Sequence, residues 1–344
     1  MFIMPKRIQW GRGHECARIT CMSKSAVRRH FMWVIFVLCS MAASIQAAPF
    51  SAVVVYGDSL SDNGNLYSQI GFPPDPPYYQ GRRSDGPVAV EYLASALGVP
   101  LLNNAWLGAT TGVGNYGDGG TTTSFGTLLP PPFPPLPGMQ TTFAATQGAL
   151  GPYISNGLFV IWGGANDFLA PSPLDTTPAE IIGRAVANEL IIVGTLRGMG
   201  VPANHILVPG MPDLGLTPYF QGFGPIVAGQ MSAITDAFNS ALATNLPAGV
   251  LFYDTASLVR SIFANPAAFG LTNVTNPCFN GTSVCSNPEQ YLFFDDFHPT
   301  TAVHSIVGGA FAATVPEPST ILLMSAGLAL CGWRARRKLT PVRG

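Results

Sequence analysis

Five short apolar runs rich in β-branched residues punctuate the chain, at residues 52–56, 100–103, 158–162, 205–208 and 250–254. Each is too short for a buried helix and lacks the polar alternation of a half-solvated strand, so each predicts a parallel strand covered on both faces. Between and after them apolar positions recur at helical spacing, over 88–97, 141–150, 179–199, 229–246 and 301–313. Strands and helices alternating in this order predict a doubly wound domain: a three-layer α/β/α fold, flavodoxin-like, around a five-stranded parallel sheet. Two proline-rich stretches, 73–77 and 130–137, fit neither helix nor central strand and must run as surface loops. They either border a cleft or serve as stiff connections, and the sequence leaves both readings open. Glycines at 112, 114 and 117 have the spacing of a dinucleotide fingerprint, but more Gly and Thr follow where that fingerprint requires a helix.

The two ends break the pattern. Arg28 and Arg29 precede a short apolar run over 31–39 and small residues at Ala47 and Ala48, the layout of a secretory signal peptide spanning 1–47, with Met22 as a second candidate start. Beyond the predicted folded body of 48–315, Pro316-Glu317-Pro318 leads into an apolar run over 321–333 and then Arg334, Arg336, Arg337 and Lys338. A basic cluster after an apolar run fits the positive-inside rule. This tail resembles the PEP-CTERM sorting signal. The resemblance implies export from a Gram-negative bacterium, transient association with the inner membrane through the apolar segment, removal by an exosortase-type enzyme, and a secreted or surface product.

The net charge of −1 conceals a division. Between the basic ends, the body holds Arg82, Arg83, Arg184, Arg197 and Arg260 against sixteen acidic residues and has no lysine. Nucleic acid is thereby excluded as an expected partner, because phosphate binding needs clustered cations. Of six cysteines, Cys278 and Cys285 fall within the body. Two thiols bracketing a short loop in an exported protein predict a disulfide, and they lack the second ligand pair that a zinc site needs.

Candidate chemistry clusters where strands end. Gly57-Asp58-Ser59-Leu60-Ser61-Asp62-Asn63-Gly64-Asn65 follows the first strand, and a serine there lies at the carboxyl edge of the sheet, where open α/β sheets bind ligands. Its N–H, and the positive end of a following helix, can face a developing oxyanion. A serine hydroxyl needs a base that is neutral near pH 7, and an imidazole suits. His298 has Asp295 three residues earlier to hold one ring nitrogen and fix its tautomer, and Pro299 sets the imidazole at the start of the last helix. Asp296 is the rival orienting acid. His205 at a strand start and His304 on the last helix read as structural, Asp62 as the cap of a helix after Ser59, and Asp167 as the cap of a turn.

These blocks resemble the GDSL (SGNH) hydrolase family. Gly57-Asp58-Ser59-Leu60 is similar to its first block, Asn104-Ala105-Trp106-Leu107-Gly108 to its second, Gly164-Ala165-Asn166-Asp167 to its third and Asp295-Asp296-Phe297-His298 to its last. The resemblance implies strand order 2-1-3-4-5, a catalytic triad of Ser59, His298 and Asp295, and an oxyanion hole of the Ser59 N–H, the Gly108 N–H and the Asn166 amide. Where a second glycine commonly precedes Gly108, this chain has Leu107. Residues 276–298 resemble the subgroup with lipolytic acyltransferases and haemolysin-like phospholipases. The expected activity is hydrolysis of a small-molecule or lipid carboxylic ester with no metal or organic cofactor. The alternatives are a deacetylase of extracellular polysaccharide and a non-catalytic surface or matrix protein on the same fold.

Overall fold

The computed structural model of the 344-residue chain describes residues 50–116, 136–169, 171, 175–315 and 327. The predicted signal peptide, most of the second proline-rich stretch and the predicted sorting tail apart from Gly327 lie outside the described residues.

All five expected strands form: β1 (Ala52–Gly57), β2 (Leu101–Asn103), β3 (Gly157–Trp162), β4 (Ile206–Pro209) and β5 (Leu251–Tyr253). They make one parallel sheet in the order β2-β1-β3-β4-β5. Every residue of β1, β3 and β4 is buried, whereas β2 and β5 are half-buried throughout. The expectation of full cover is therefore corrected for the last two, which are the edges of the sheet and have a neighbouring strand on one side.

Alternation along the central strands builds two cores. Val53, Val55, Leu158, Val160, Trp162 and Leu207 point to one face; Val54, Tyr56, Phe159, Ile161, Ile206 and Val208 point to the other. On the first face lie α2 (Ala89–Leu97), α8 (Thr255–Ala264) and α9 (Thr301–Thr314). The second carries α3 (Met139–Thr146), α5 (Pro178–Gly198) and α7 (Pro225–Asn245). Full burial of each large aliphatic or aromatic side chain contributes about 1.5–3 kcal/mol, so these two layers fix the strand ends on which the loops stand. α2 and α9 approach so closely that a Cβ on Gly308 would sit 2.5 Å from the Ala89 carbonyl.

The helices depart from expectation at their ends. α5 starts at Pro178 behind a reciprocal cap, in which Thr177 Oγ1 accepts the Glu180 N–H and Glu180 Oε2 accepts the Thr177 N–H. α7 starts at Pro225, four residues earlier than its apolar spacing shows, because proline suits the first helical position. α3 ends at Thr146 and gives way to two 3-10 turns, where Gly148, Gly151 and Pro152 do not sustain a helix. The short α1 (Asn65–Ile70), α4 (Ala165–Leu169) and α6 (Pro218–Gln221) leave no periodic signature. α8 does leave one: Asp254, read from sequence as the end of a strand, accepts the Ser257 N–H at 3.0 Å and caps this helix.

Candidate active site

The site stands on the carboxyl ends of β1 and β3. Gly57 ends β1 so close to β3 that a Cβ would lie 2.6 Å from the Trp162 carbonyl oxygen, which explains a glycine just before Asp58 and Ser59. The chain then makes one turn, with the Asp58 carbonyl accepting the Ser61 and Asp62 N–H groups at 3.0 and 2.9 Å. α1 begins only at Asn65. The helix expected after Ser59 thus begins six residues beyond it, and a single turn separates its first residue from the hydroxyl. Gly64 in the left-handed region (φ 119°) and the Asp62 carboxylate interrupt the chain before α1.

Ser59, His298 and Asp295 come together although 239 residues separate the serine from the imidazole. Ser59 Oγ lies 2.8 Å from His298 Nε2, and His298 Nδ1 lies 2.8 Å from Asp295 Oδ1. With the Nδ1–H donating to the carboxylate, Nε2 is left to accept the serine hydroxyl proton. Asp295 Oδ1 also accepts the N–H groups of Phe297 (3.0 Å) and His298 (2.8 Å), so one tight turn holds acid and imidazole together. Burial would raise the Asp295 carboxyl; the His298 charge and hydrogen bond, Arg83 and the Phe297 N–H outweigh it, and the group is held well below the usual carboxylate range. Asp296 is exposed and offers its carbonyl to the Tyr219 N–H, away from this chain of bonds.

The second and third loops close on the same point. Gly108 has φ +79°, and a Cβ there would meet Asn115 Oδ1 at 2.4 Å. Buried Asn115 in turn donates to the carbonyls of Leu107 (3.2 Å) and Pro137 (3.1 Å) and so braces the loop. Among the described residues, neither the Ser59 N–H nor the Gly108 N–H donates to a protein acceptor. Asn166 is buried, and its Nδ2 donates to the Ala109 carbonyl at 3.0 Å, which uses one of its two amide protons. Gly164, two residues before it, has φ +105° and backs onto the Phe238 ring. Ser59, Gly108, Asn166 and His298 all border one cavity of about 290 Å³, whose walls are largely apolar and include Leu107, Tyr116, Leu169, Leu214, Phe293 and Phe297.

Residues 53–311 match the GDSL-like Lipase/Acylhydrolase family. The chain belongs to that family. Residues 314–338 match the PEP-CTERM protein-sorting motif. The chain is 29% identical to a phosphatidylcholine-sterol acyltransferase of Aeromonas hydrophila, over 85% of this chain and 97% of that one. It is 28% identical to acetylajmalan esterase 2 of Rauvolfia serpentina (80% and 93% covered) and to esterase EstA of Pseudomonas aeruginosa (83% and 50%). The solved structure of an M. smegmatis aryl esterase aligns at 17% identity over 77% of this chain and 98% of that chain, with a TM-score of 0.42. As a GDSL-like acylhydrolase the protein is an ester-hydrolysing enzyme. Its sorting motif marks it for exosortase-mediated processing and export, to the cell surface or beyond, in a Gram-negative bacterium.

Several residues of this GDSL-like site escape sequence reasoning. Tyr78 Oη donates to Asp295 Oδ2 at 2.8 Å, and Arg83 Nη2 lies 3.1 Å from the same oxygen. Burial and then the Asp295 charge push the Tyr78 phenol up, so it stays a donor. Both residues come from the segment after the first proline-rich stretch, whose flanking Phe72 lines the cavity; that stretch therefore borders the cleft. Asp62 caps α1 as expected, and its Oδ2 also takes the Leu107 N–H at 2.8 Å, tying the first block to the second. Asp167 caps no turn with its side chain: it accepts the Thr111 N–H and hydroxyl, each at 3.0 Å, and pairs with Arg184 at 3.2 Å, tying the third block to the second. His304 is buried and accepts the Ala89 N–H, while His205 stands in a 3-10 turn ahead of β4 with its ring edge-on to Phe50. Cys278 and Cys285 form the expected disulfide.

Proposed function

We propose that Ser59 is the nucleophile of an acyl transfer to water. Its hydroxyl attacks the ester carbonyl while His298 Nε2 takes the proton, and Asp295 stabilises the imidazolium that forms. The tetrahedral oxyanion is held by the Ser59 and Gly108 N–H groups and by the remaining amide proton of Asn166. His298 then gives its proton to the leaving alcohol, which departs and leaves an acyl-enzyme on Ser59. Water activated by the same imidazole attacks that ester and releases the acid and the free serine. The observation that carries this reading is the unbroken run of hydrogen bonds from Asp295 through His298 to a hydroxyl on the wall of an apolar cavity.

The cavity wall also bears on the substrate. About 290 Å³ is near the lower end of the ~300–1,000 Å³ typical of ligand pockets. Apolar walls favour an ester with a short to medium acyl chain, from a small molecule or a lipid, over an acetylated glycan. The Aeromonas relative's name adds acyl transfer to another alcohol as a second use of the same acyl-enzyme. We further propose that residues 1–47 are removed on export, that the apolar run at 321–333 holds the precursor transiently in the inner membrane, and that cleavage near Pro316-Glu317-Pro318 leaves 48–315 as the working hydrolase.

The test is labelling with a fluorophosphonate beside a panel of p-nitrophenyl esters and acetylated glycans. The expected result is one adduct on Ser59, ester turnover in the wild type and neither in Ser59→Ala. Labelling elsewhere, or undiminished turnover in Ser59→Ala, refutes the assignment, and turnover confined to the glycans moves the substrate to acetylated polysaccharide.

A further inference from the structure

Six large apolar side chains are exposed among the described residues, and three of them, Tyr219, Phe223 and Ile226, fall within eight positions at the α6–α7 turn. Phe223 is 59% exposed and Ile226 77%. The turn is built to present them. Gly224, at φ +90°, separates α6 from α7 in a conformation that favours glycine, and Pro225 opens α7, so Ile226 stands on its first turn with no earlier turn of that helix to cover it. Phe223 packs edge-on to Tyr219, with ring centroids 5.1 Å apart. No charged residue occurs from Leu214 to Thr235, although the body of the chain is otherwise strongly acidic.

The patch is continuous with the cavity. The Tyr219 ring lies 4.5 Å from that of Phe297, which forms part of the wall beside His298, and the Tyr219 N–H is held by the Asp296 carbonyl. Scattered apolar residues on a surface need no explanation, but an uncharged cluster at the mouth of an apolar site does. Whatever covers these side chains also sits where an ester enters.

We propose that the knob formed by residues 219–226 docks the enzyme on a neutral or zwitterionic lipid surface and feeds esters from it into the cavity. This rests on the reading of Ser59 as the nucleophile of an ester hydrolase and names the state in which the substrate is presented. A lipid surface is the occupant that both buries the knob and supplies an ester; a second copy seated there would stand in the substrate's path. Charge selects the kind of lipid. With five arginines, no lysine and sixteen acidic residues in the body, attraction to an anionic leaflet is absent, so insertion of Phe223 and Ile226 among acyl chains must carry the binding.

The experiment compares the exported wild-type protein with Phe223→Ser/Ile226→Ser, both side chains being exposed and outside the hydrogen-bonded site. Both proteins carry the same termini, so the difference between them reads the knob. Dissolved p-nitrophenyl butyrate reports the chemistry, tributyrin emulsion reports the surface, and co-sedimentation with phosphatidylcholine vesicles reports docking without turnover. The expected result is unchanged turnover of the dissolved ester, with emulsion turnover and vesicle binding each reduced roughly tenfold or more, the scale of losing two inserted apolar side chains. Equal losses on dissolved and emulsified ester, no loss of vesicle binding, or stronger binding to phosphatidylglycerol vesicles overturns the proposal. So does a variant that changes oligomeric state in gel filtration while keeping its vesicle binding. A wild type that leaves every ester intact refutes the assignment of Ser59 instead, and co-sedimentation then still decides the knob.

Discussion

Asp295 is held from both sides. One oxygen takes the imidazole and two backbone N–H groups, and the other takes the Tyr78 hydroxyl and Arg83, whose guanidinium lies 4.6 Å over the Tyr78 ring. Such an anchor sets the angle at which the carboxylate meets His298, and a hydrogen bond to a charged group is worth about 1.5–3 kcal/mol. Tyr78→Phe is therefore expected to lower kcat roughly tenfold while KM stays within about twofold. If activity falls only in proportion to the folded fraction seen by circular dichroism, Tyr78 does not position the acid. Asn166→Ala removes the amide proposed to hold the developing oxyanion, together with its bond to the Ala109 carbonyl, so a loss of at least ~100-fold in kcat is expected without unfolding; tenfold or less would exclude Asn166 from that role. These two residues also show what the sequence could disclose. Asn166 was legible because residues 164–167 resemble a family block directly after a predicted strand. Tyr78 was not, because its partner lies 217 positions away and nothing local distinguishes it from a packing tyrosine.

Among the elements, the central strands were legible because burial on both faces leaves an unbroken apolar run. Edge strands and one- or two-turn helices were harder to read. β2 and β5 have too few residues to show their half-exposure as alternation, and α1, α4 and α6 are shorter than one period of a helical pattern can establish. The loop ahead of the Asp295 turn is held by a disulfide of sequence separation 7, between Cys278 and Cys285. It also pairs with the strand-like stretch before the acid: the Cys278 N–H donates to the Phe293 carbonyl at 3.0 Å and the Phe279 N–H to that of Phe294 at 2.6 Å. Cys278 packs with Tyr78 and Phe294, so the bridge supports the same tyrosine that anchors Asp295. Closing so short a loop is worth about 2–3 kcal/mol, enough to order the loop but small beside the two cores. Reduction is expected to slow ester turnover severalfold while far-ultraviolet circular dichroism stays constant. Unchanged turnover with both thiols shown to be free by alkylation would remove the bridge from any part in positioning the acid.

On the scale of the whole molecule, the acidic body buries carboxyls beneath the site as well as carrying them on its surface. Asp58, Asp167 and Glu189 are buried and feel one another's charge, and neither oxygen of Glu189 has a hydrogen-bond partner among the described residues. Burial, with smaller contributions from neighbouring carboxylates, pushes Asp58 up to about 7 and Glu189 well above its ordinary value; burial likewise pushes Asp167 up to about 6. The folded protein thus binds protons that the unfolded chain has already released. Their stabilising effect is complete below about pH 4 and is lost as pH rises through about 7. His304 acts with the opposite sign. Burial, with the His298 charge, lowers it to about 3, so the fold loses stability as pH falls from the ordinary histidine range towards that value. Three raised carboxyls outweigh one lowered histidine between pH ~4 and ~7, so thermal stability is expected to fall as pH rises through that range. Asp58→Asn keeps an oxygen for the Leu60 N–H, which Asp58 Oδ1 accepts at 2.9 Å, but cannot ionise. A tenfold difference in proton affinity is worth ~1.4 kcal/mol, or roughly 3–6 °C in a domain of this size. The variant should therefore match the wild type near pH ~3.5 and melt at least a few degrees higher near pH ~8. A Tm difference that is the same at both pH values would mean that Asp58 is ionised in the folded protein, and the alkaline loss would then come from Glu189 and Asp167, the first of which Glu189→Gln measures in the same way.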